Sequence, residues 1–196
     1  MSQIIGLTGG IASGKSTVVA AIRKAGYQVI DADQVVHDLQ AKGGKLYQAL
    51  LAHFGEEILD DEGNLNRPKL SQLIFSSPEN LKVSSDLQNQ IIREELASRR
   101  DKLAQTEDVF FMDIPLLIEL GYQDWFDAIW LVYVEKETQV QRLVSRNGYS
   151  YEEANQRIHA QMLLEEKRAY ADVLIDNNGS LADLTGQVQI QLQQLQ

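Results

Sequence analysis

Apolar residues follow two rhythms along this chain. Short runs that are apolar at nearly every position recur at Ile4–Thr8, Tyr27–Ile30, Val109–Asp113, Asp127–Val134 and Ala171–Asp176. Apolarity without alternation predicts strands covered on both faces, as in a parallel sheet. Between the runs, apolar residues fall three and four apart. Val18, Val19 and Ile22 mark a helix over 17–25 stopped by Gly26. Helices are also predicted over 137–146 and 150–167, and Leu181, Leu184, Val188, Leu192 and Leu195 form the seam of a terminal one. Strands alternating with helices predict an α/β fold, a doubly wound parallel sheet of five strands with right-handed crossovers.

One interval breaks the alternation. From His37 to Ala104 the pattern is helical throughout, with Leu39, Leu46, Leu50, Leu51 and Phe54 at helical spacings and Gly55 as a stop. Further helices are expected from Arg67-Pro68, from Ser77-Pro78-Glu79, and around Leu87, Ile91 and Ile92. Nearly 70 residues without a strand is far more than a crossover needs, so an inserted helical domain is expected. The organisation expected is therefore a core of 1–36, 105–134 and 169–196, an insertion at 37–104 that binds a substrate, and a helical lid at 135–168.

Charge narrows the partners. A formal net charge of −10 argues against broad nucleic-acid or membrane-surface binding, which would want a basic face. An anionic substrate must then meet a local cluster of Lys and Arg. No apolar run approaches the about 20 residues of a membrane helix, the start shows no basic-then-apolar leader, and cysteine is absent. A cytoplasmic protein, monomeric or a small homo-oligomer, is expected.

The chemistry concentrates after the first strand. Gly9-Gly10-Ile11-Ala12-Ser13-Gly14-Lys15-Ser16 reads G-x-x-x-x-G-K-S, with Thr17 following. In that spacing glycines let the backbone wrap a phosphate with its N–H groups inward, while lysine reaches the β- and γ-phosphates and serine can ligate Mg²⁺. A glycine turn that merely joins a strand to a helix is the plainer alternative, but lysine, serine and the flanking elements coincide here. This P-loop is expected to hold a nucleoside triphosphate through residues 10–17. The second strand ends in Asp31-Ala32-Asp33, whose two carboxylates share one side if the chain stays extended. Asp33 could instead cap a helix starting near Gln34. Asp113 closes the third strand, where an aspartate helps organise Mg²⁺, directly or through a water. Asp31 is a further metal candidate. Arg142 and Arg146, four apart on one helical face, could clamp a triphosphate beneath a lid or simply pair with Glu135, Glu137, Glu152 and Glu153. His37, His53 and His159 show no ligand spacing.

Taken together these features predict phosphoryl transfer from a nucleoside triphosphate to a small-molecule hydroxyl, with Asp33 as base and Lys15, Mg²⁺ and the arginines spreading the transition-state charge. A nucleotide switch or simple ATPase is the rival, although no N-K-x-D guanine signature is present.

The residues also resemble a known family. Leu7 through Thr17, Ile30-Asp31-Ala32-Asp33, Asp113-Ile114-Pro115-Leu116-Leu117, and Ala171-Asp172 with Ile175-Asp176-Asn177 resemble the dephospho-coenzyme A kinases, as do Phe54-Gly55, Asn66-Arg67 and the run from Gln141 to Arg146 with Arg157 and Gln161. The resemblance implies transfer of the ATP γ-phosphate to the ribose 3′-hydroxyl of dephospho-coenzyme A, the last step of coenzyme A synthesis. It implies Asp33 as the catalytic base, Arg142 at the phosphates, Asn177 near the adenine, and Thr8, Arg67, Arg93, Leu116 and Gln161 among the acceptor contacts. Two departures stand out. Ala12 replaces the family's usual glycine, and Asn89-Gln90 stands where the family usually has His-Pro, so no histidine role carries over.

Overall fold

The structure, a computed structural model, describes residues 1–195. Five strands are present among them: β1 (Gln3–Thr8), β2 (Gln28–Asp31), β3 (Val109–Asp113), β4 (Ala128–Tyr133) and β5 (Val173–Asp176). The described helices are α1 (Lys15–Lys24), α2 (Ala32–Gln40), α3 (Lys45–Phe54), α4 (Arg67–Ile74), α5 (Pro78–Leu103), α6 (Lys136–Asn147), α7 (Tyr151–His159), α8 (Leu164–Lys167) and α9 (Leu181–Gln193), with short 3₁₀ turns between some of them. The chain divides into two units, Met1–Asp31 with the chain from Leu103 onward, and Ala32–Lys102.

In the first unit all five strands are parallel, in the order β2-β3-β1-β4-β5, as the apolar runs predict. β1 is central, so whatever follows it lies in the middle of the sheet's carboxyl edge. The register brings the strand ends level: Leu7 and Asp31 both pair with Asp113, and Tyr133 pairs with Asp176. β4 and β5 are shorter than their apolar runs because the leading aspartates serve as caps. Asp127 Oδ2 accepts the Ile4 amide at 2.7 Å, and Asp172 Oδ2 accepts the Ile129 amide at 2.8 Å.

One face of the sheet is covered by α1 and α9, whose Val18, Val19, Ile22, Leu184, Val188 and Leu192 pack on Ile5, Leu7, Phe111, Trp130, Val132 and Ile175. Phe111 anchors this layer edge-on to both Trp130 and Tyr27, at centroid distances of 5.0 and 5.8 Å. Each such side chain contributes about 1.5–3 kcal/mol on burial, so the sheet is a stiff platform for its carboxyl-end loops. Leu181 departs from the predicted seam and is 66% exposed, because it opens α9 beyond the sheet.

The second unit is helical, with Leu50, Ile58 and Leu70 packed beneath Phe54, Leu65 and Leu73. Asn66 caps α4 by accepting the Lys69 amide at 3.1 Å, and Pro68 sits in the first turn, where its missing N–H costs nothing. The two helices expected beyond Ser77 are a single helix, α5, of 26 residues. Asn89 and Gln90 lie inside it without interruption; a proline at 90 would remove a hydrogen bond there and kink it.

Two further expectations are corrected. The helix predicted over 150–167 breaks at 160–163 into α7 and α8. The chain does not stay extended through Asp31-Ala32-Asp33 either. Asp31 is the last residue of β2 and Asp33 lies in the first turn of α2, so the two carboxylates are not related by strand alternation. Ala32 begins the helix by burying its methyl group, which fixes the change of direction between the two acids.

Candidate active site

The phosphate loop joins β1 to α1. Gly14 takes the left-handed conformation, with φ 83°, just before the helix begins. A β-carbon there would stand 2.1 Å from Asn177 Nδ2, so the position requires glycine on both counts. Ala12 is the one non-glycine residue at positive φ among the described residues, at 60°. Holding an alanine in this left-handed conformation costs about 1–2 kcal/mol. Because α1 starts at Lys15 rather than Thr17, Lys15 and Ser16 belong to its first turn, where backbone amides have no intrahelical acceptor and the helix dipole favours an anion.

What holds the loop in shape is a set of side chains that grip its carbonyl oxygens. Lys167 Nζ donates to Gly9 O at 3.0 Å, and Gln139 Nε2 to Ile11 O at 2.9 Å. One guanidinium nitrogen of Arg142 donates to Ala12 O at 3.0 Å and the other to Asn177 O at 2.7 Å. Asn177 Nδ2 donates to Ser13 O at 2.8 Å. In a trans peptide the carbonyl and the following N–H point in opposite directions. Pinning the oxygens of Gly9, Ile11 and Ser13 therefore turns the amides of Gly10, Ala12 and Gly14 away from these side chains, while the Ser13 amide closes a turn onto Gly10 O at 3.1 Å. The Ile11 amide is held separately, by Gln161 Oε1 at 3.1 Å. Ser13 Oγ is buried without a hydrogen-bond partner inside the loop.

Charge is arranged locally against the acidic whole. Lys15, Arg142 and Lys167 all stand at the loop. Burial, and next the charge of Arg146, lowers the pKa of Arg142; a guanidinium nevertheless remains protonated in proteins. Lys15 Nζ is paired with Asp113 Oδ1, so the lysine of the loop and the acid closing β3 are in direct contact. Their side chains are 17% and 11% exposed. Asp31 stands opposite Asp113 in the β2–β3 register. Ser16 and Thr17 are exposed at the start of α1.

The remaining candidates separate by environment. Thr8 is fully buried and its hydroxyl donates to Pro115 O at 3.0 Å. Leu116 is half-buried on the segment leaving β3, and Arg146 is exposed on α6, one turn beyond Arg142. The shared helical face of the two arginines thus carries two different situations, one braced against backbone and one open. Arg67, Arg93 and Asp33 belong to the second unit, all three exposed, with Arg67 opening α4, Arg93 within α5 and Asp33 in the first turn of α2.

Gln139, Glu119 and Lys167 are site residues that sequence reasoning did not single out as such. Glutamine and lysine on an amphipathic helix look like solvated positions, and their partners are 128 and 158 residues away along the chain. The only local sign was the apolar company of Lys167, since Leu163 and Leu164 precede it on a helix that must bury one side.

Comparison with known proteins gives one consistent result. Residues 3–183 match the family model described as dephospho-CoA kinase. A dephospho-CoA kinase of Streptococcus mutans is 64% identical over 196 residues, which is 100% of this chain and 99% of the relative. Among solved structures, a Thermus thermophilus protein superposes with a TM-score of 0.82 at 36% identity, covering 100% of this chain and 98% of its own. A dephospho-CoA kinase from Campylobacter jejuni gives a TM-score of 0.77 at 26% identity, with the same coverage.

Proposed function

The chain belongs to the dephospho-CoA kinase family, and on that premise we propose that it transfers the γ-phosphate of ATP to the ribose 3′-hydroxyl of dephospho-CoA, yielding ADP and CoA. The observation that carries the chemical part is the loop itself: four of its carbonyls are held outward while Lys15 and the first turn of α1 stand ready for an anion.

In this reading the loop amides and Lys15 bind the β- and γ-phosphates, and the Lys15–Asp113 pair opens as the triphosphate takes the lysine. The freed Asp113 carboxylate, directly or through a water, and the Ser16 hydroxyl offer the oxygen donors that Mg²⁺ prefers, the rest coming from water and phosphate. Bound there, Mg²⁺ neutralises charge on the phosphates. Asp31 is a second carboxylate for that water shell. Asp33 accepts the proton of the acceptor hydroxyl as the new oxygen–phosphorus bond forms and the bond to the β,γ-bridging oxygen breaks. Arg142 braces the loop, and its remaining N–H groups, with Arg146, stabilise charge on the transferring group. The insertion at 37–104 serves as the acceptor-binding domain, with Arg67 and Arg93 meeting the acceptor's anionic groups, and 135–168 serves as the lid. Thr8, Leu116 and Gln161 act from the loop side, Thr8 through Pro115 and Gln161 through Ile11. Asn177, anchored to Ser13, lies near the adenine. ATP and dephospho-CoA as substrates fit a cytoplasmic location, with a monomer or small homo-oligomer as the working form. No described helix is long and apolar enough to cross a membrane.

A phosphate-transfer assay with an acceptor panel tests this. With ATP and Mg²⁺, turnover is expected with dephospho-CoA and not with adenosine or nucleoside monophosphates. Phosphorylation of a nucleotide with none of dephospho-CoA would replace the acceptor while keeping the reaction class. ATP consumption at the same rate without any acceptor would instead favour an ATPase.

A further inference from the structure

We propose that Lys167 is the positioning residue of the phosphate loop, setting the affinity for the polyphosphate of the nucleotide through the Gly9–Gly10 peptide; this rests on reading that loop as the triphosphate site.

Lys167 ends α8 and is fully buried. Lysines are almost never fully buried unless paired, because an ammonium leaving water loses its hydration. Here the ammonium donates to Gly9 O at 3.0 Å and to Pro115 O at 3.2 Å, and Glu119 Oε1 stands 3.2 Å away as its ion-pair partner. Burial pushes the ammonium's pKa down and Glu119 opposes that shift, while the positive charge of Lys15 adds to it. The ammonium's bond to Gly9 O brings a second cation to the loop that carries Lys15, in a protein whose overall charge would repel an anion.

These three partners lie on the pieces that must be held in register for the site to work. Gly9 is the first residue after β1. Pro115 is two residues beyond Asp113, and Glu119 is further along the same segment. Because the peptide is planar, fixing Gly9 O fixes the direction of the Gly10 N–H, the first amide of the cradle. The grip extends past the lysine. Glu119 Oε2 accepts the Met162 amide at 3.3 Å, and the neighbouring Gln161 holds the Ile11 amide. One buried ion pair thus ties the start of the loop, the segment after β3 and the break between α7 and α8. That tie coincides with the break; an unbroken helix over 150–167 would carry the Met162 amide into its own ladder. Gln139, Arg142 and Asn177 grip later carbonyls of the loop, and of these four side chains Lys167 is the fully buried cation.

The test measures direct binding of ATP and of ADP with Mg²⁺, together with steady-state rates, on Lys167→Met and Lys167→Arg at a temperature well below melting. Losing charge-assisted hydrogen bonds of this kind is expected to weaken both nucleotides about tenfold or more in Lys167→Met. KM for ATP should rise in parallel while KM for dephospho-CoA stays near wild type, and Lys167→Arg should recover most of the loss. A purely structural lysine would lower the melting temperature and leave nucleotide affinity of the folded protein unchanged, and that result overturns the proposal. If Lys167→Met does not fold, Glu119→Gln decides: it leaves the lysine and both carbonyls and removes the counter-charge. A selective rise in KM for ATP is then expected, smaller than for Lys167→Met, and an unchanged KM overturns the proposal. Should the wild type bind ATP yet fail to phosphorylate dephospho-CoA, the acceptor assignment fails while the binding measurements still judge Lys167.

Discussion

Replacing Lys15 by alanine is expected to abolish phosphate transfer for practical purposes, lowering kcat at least about 10²–10³-fold with dephospho-CoA and ATP saturating. The ammonium is the one side-chain cation that the loop carries within its own sequence, at the first turn of a helix whose dipole already favours an anion. Its ion-pair partner is Asp113. Removing it takes away charge stabilisation at the transferring group and deprives Asp113, only 11% exposed, of the ammonium beside it. A compensating loss of stability follows from the second effect, since breaking a shielded pair costs more than the pair itself contributes. Lys15→Met, which fills the same volume, shares both losses, whereas an Asp113→Asn protein keeps the lysine and should retain ATP binding with a diminished dependence on Mg²⁺. Initial rates and direct ATP titration on the folded variants separate these effects. A Lys15→Ala enzyme within tenfold of wild type would remove the lysine from the chemistry.

Asp33→Asn is expected to cut kcat by about 10²–10⁴-fold, the range that a positioned general base contributes, with ATP affinity kept. The substitution is nearly isosteric and the residue is exposed in the first turn of α2. The helix-dipole part of its contribution to stability is about 0.3–1 kcal/mol. The measurement is single-turnover transfer alongside ATP binding. Transfer at the wild-type rate would leave Asp33 as a helix-start residue and nothing more.

The fold was legible for a physical reason: strands covered on both faces must be apolar at nearly every position, and five such runs with helical spacing between them admit few arrangements other than a wound parallel sheet. The loop was legible because its parts are contiguous. Gly14, Lys15 and Ser16 act from adjacent positions, and Asp113 is marked by being the polar end of an apolar strand. Resemblance led to the expectation of Arg142 at the phosphates, and the structure puts its guanidinium against the loop at Ala12 O. Its grip on Ala12 and Asn177, 130 and 35 residues away, depends on how α6 packs and has no sequence signature.

Other features were hidden for the same reason. The geometry of Asp31 and Asp33 turned on whether Ala32 continues a strand or starts a helix, a choice made by burial of its side chain rather than by local propensity. The 160–163 break carries no glycine or proline. Bonds with Glu119 and with the loop itself meet it from 43 and 150 residues away. Lys167, read as one more charge on a helix, is the clearest case: its acceptors lie on two different strand-end segments, and only the folded sheet brings them to one point.

The proposed reaction moves the ATP γ-phosphate onto one particular oxygen. Following isotopically labelled γ-phosphate into the product, and locating it by position-specific hydrolysis, tests that most directly. The label is expected on the ribose 3′-oxygen of dephospho-CoA, one for each ADP formed. Label recovered as inorganic phosphate, or on any other oxygen of the acceptor, would contradict it.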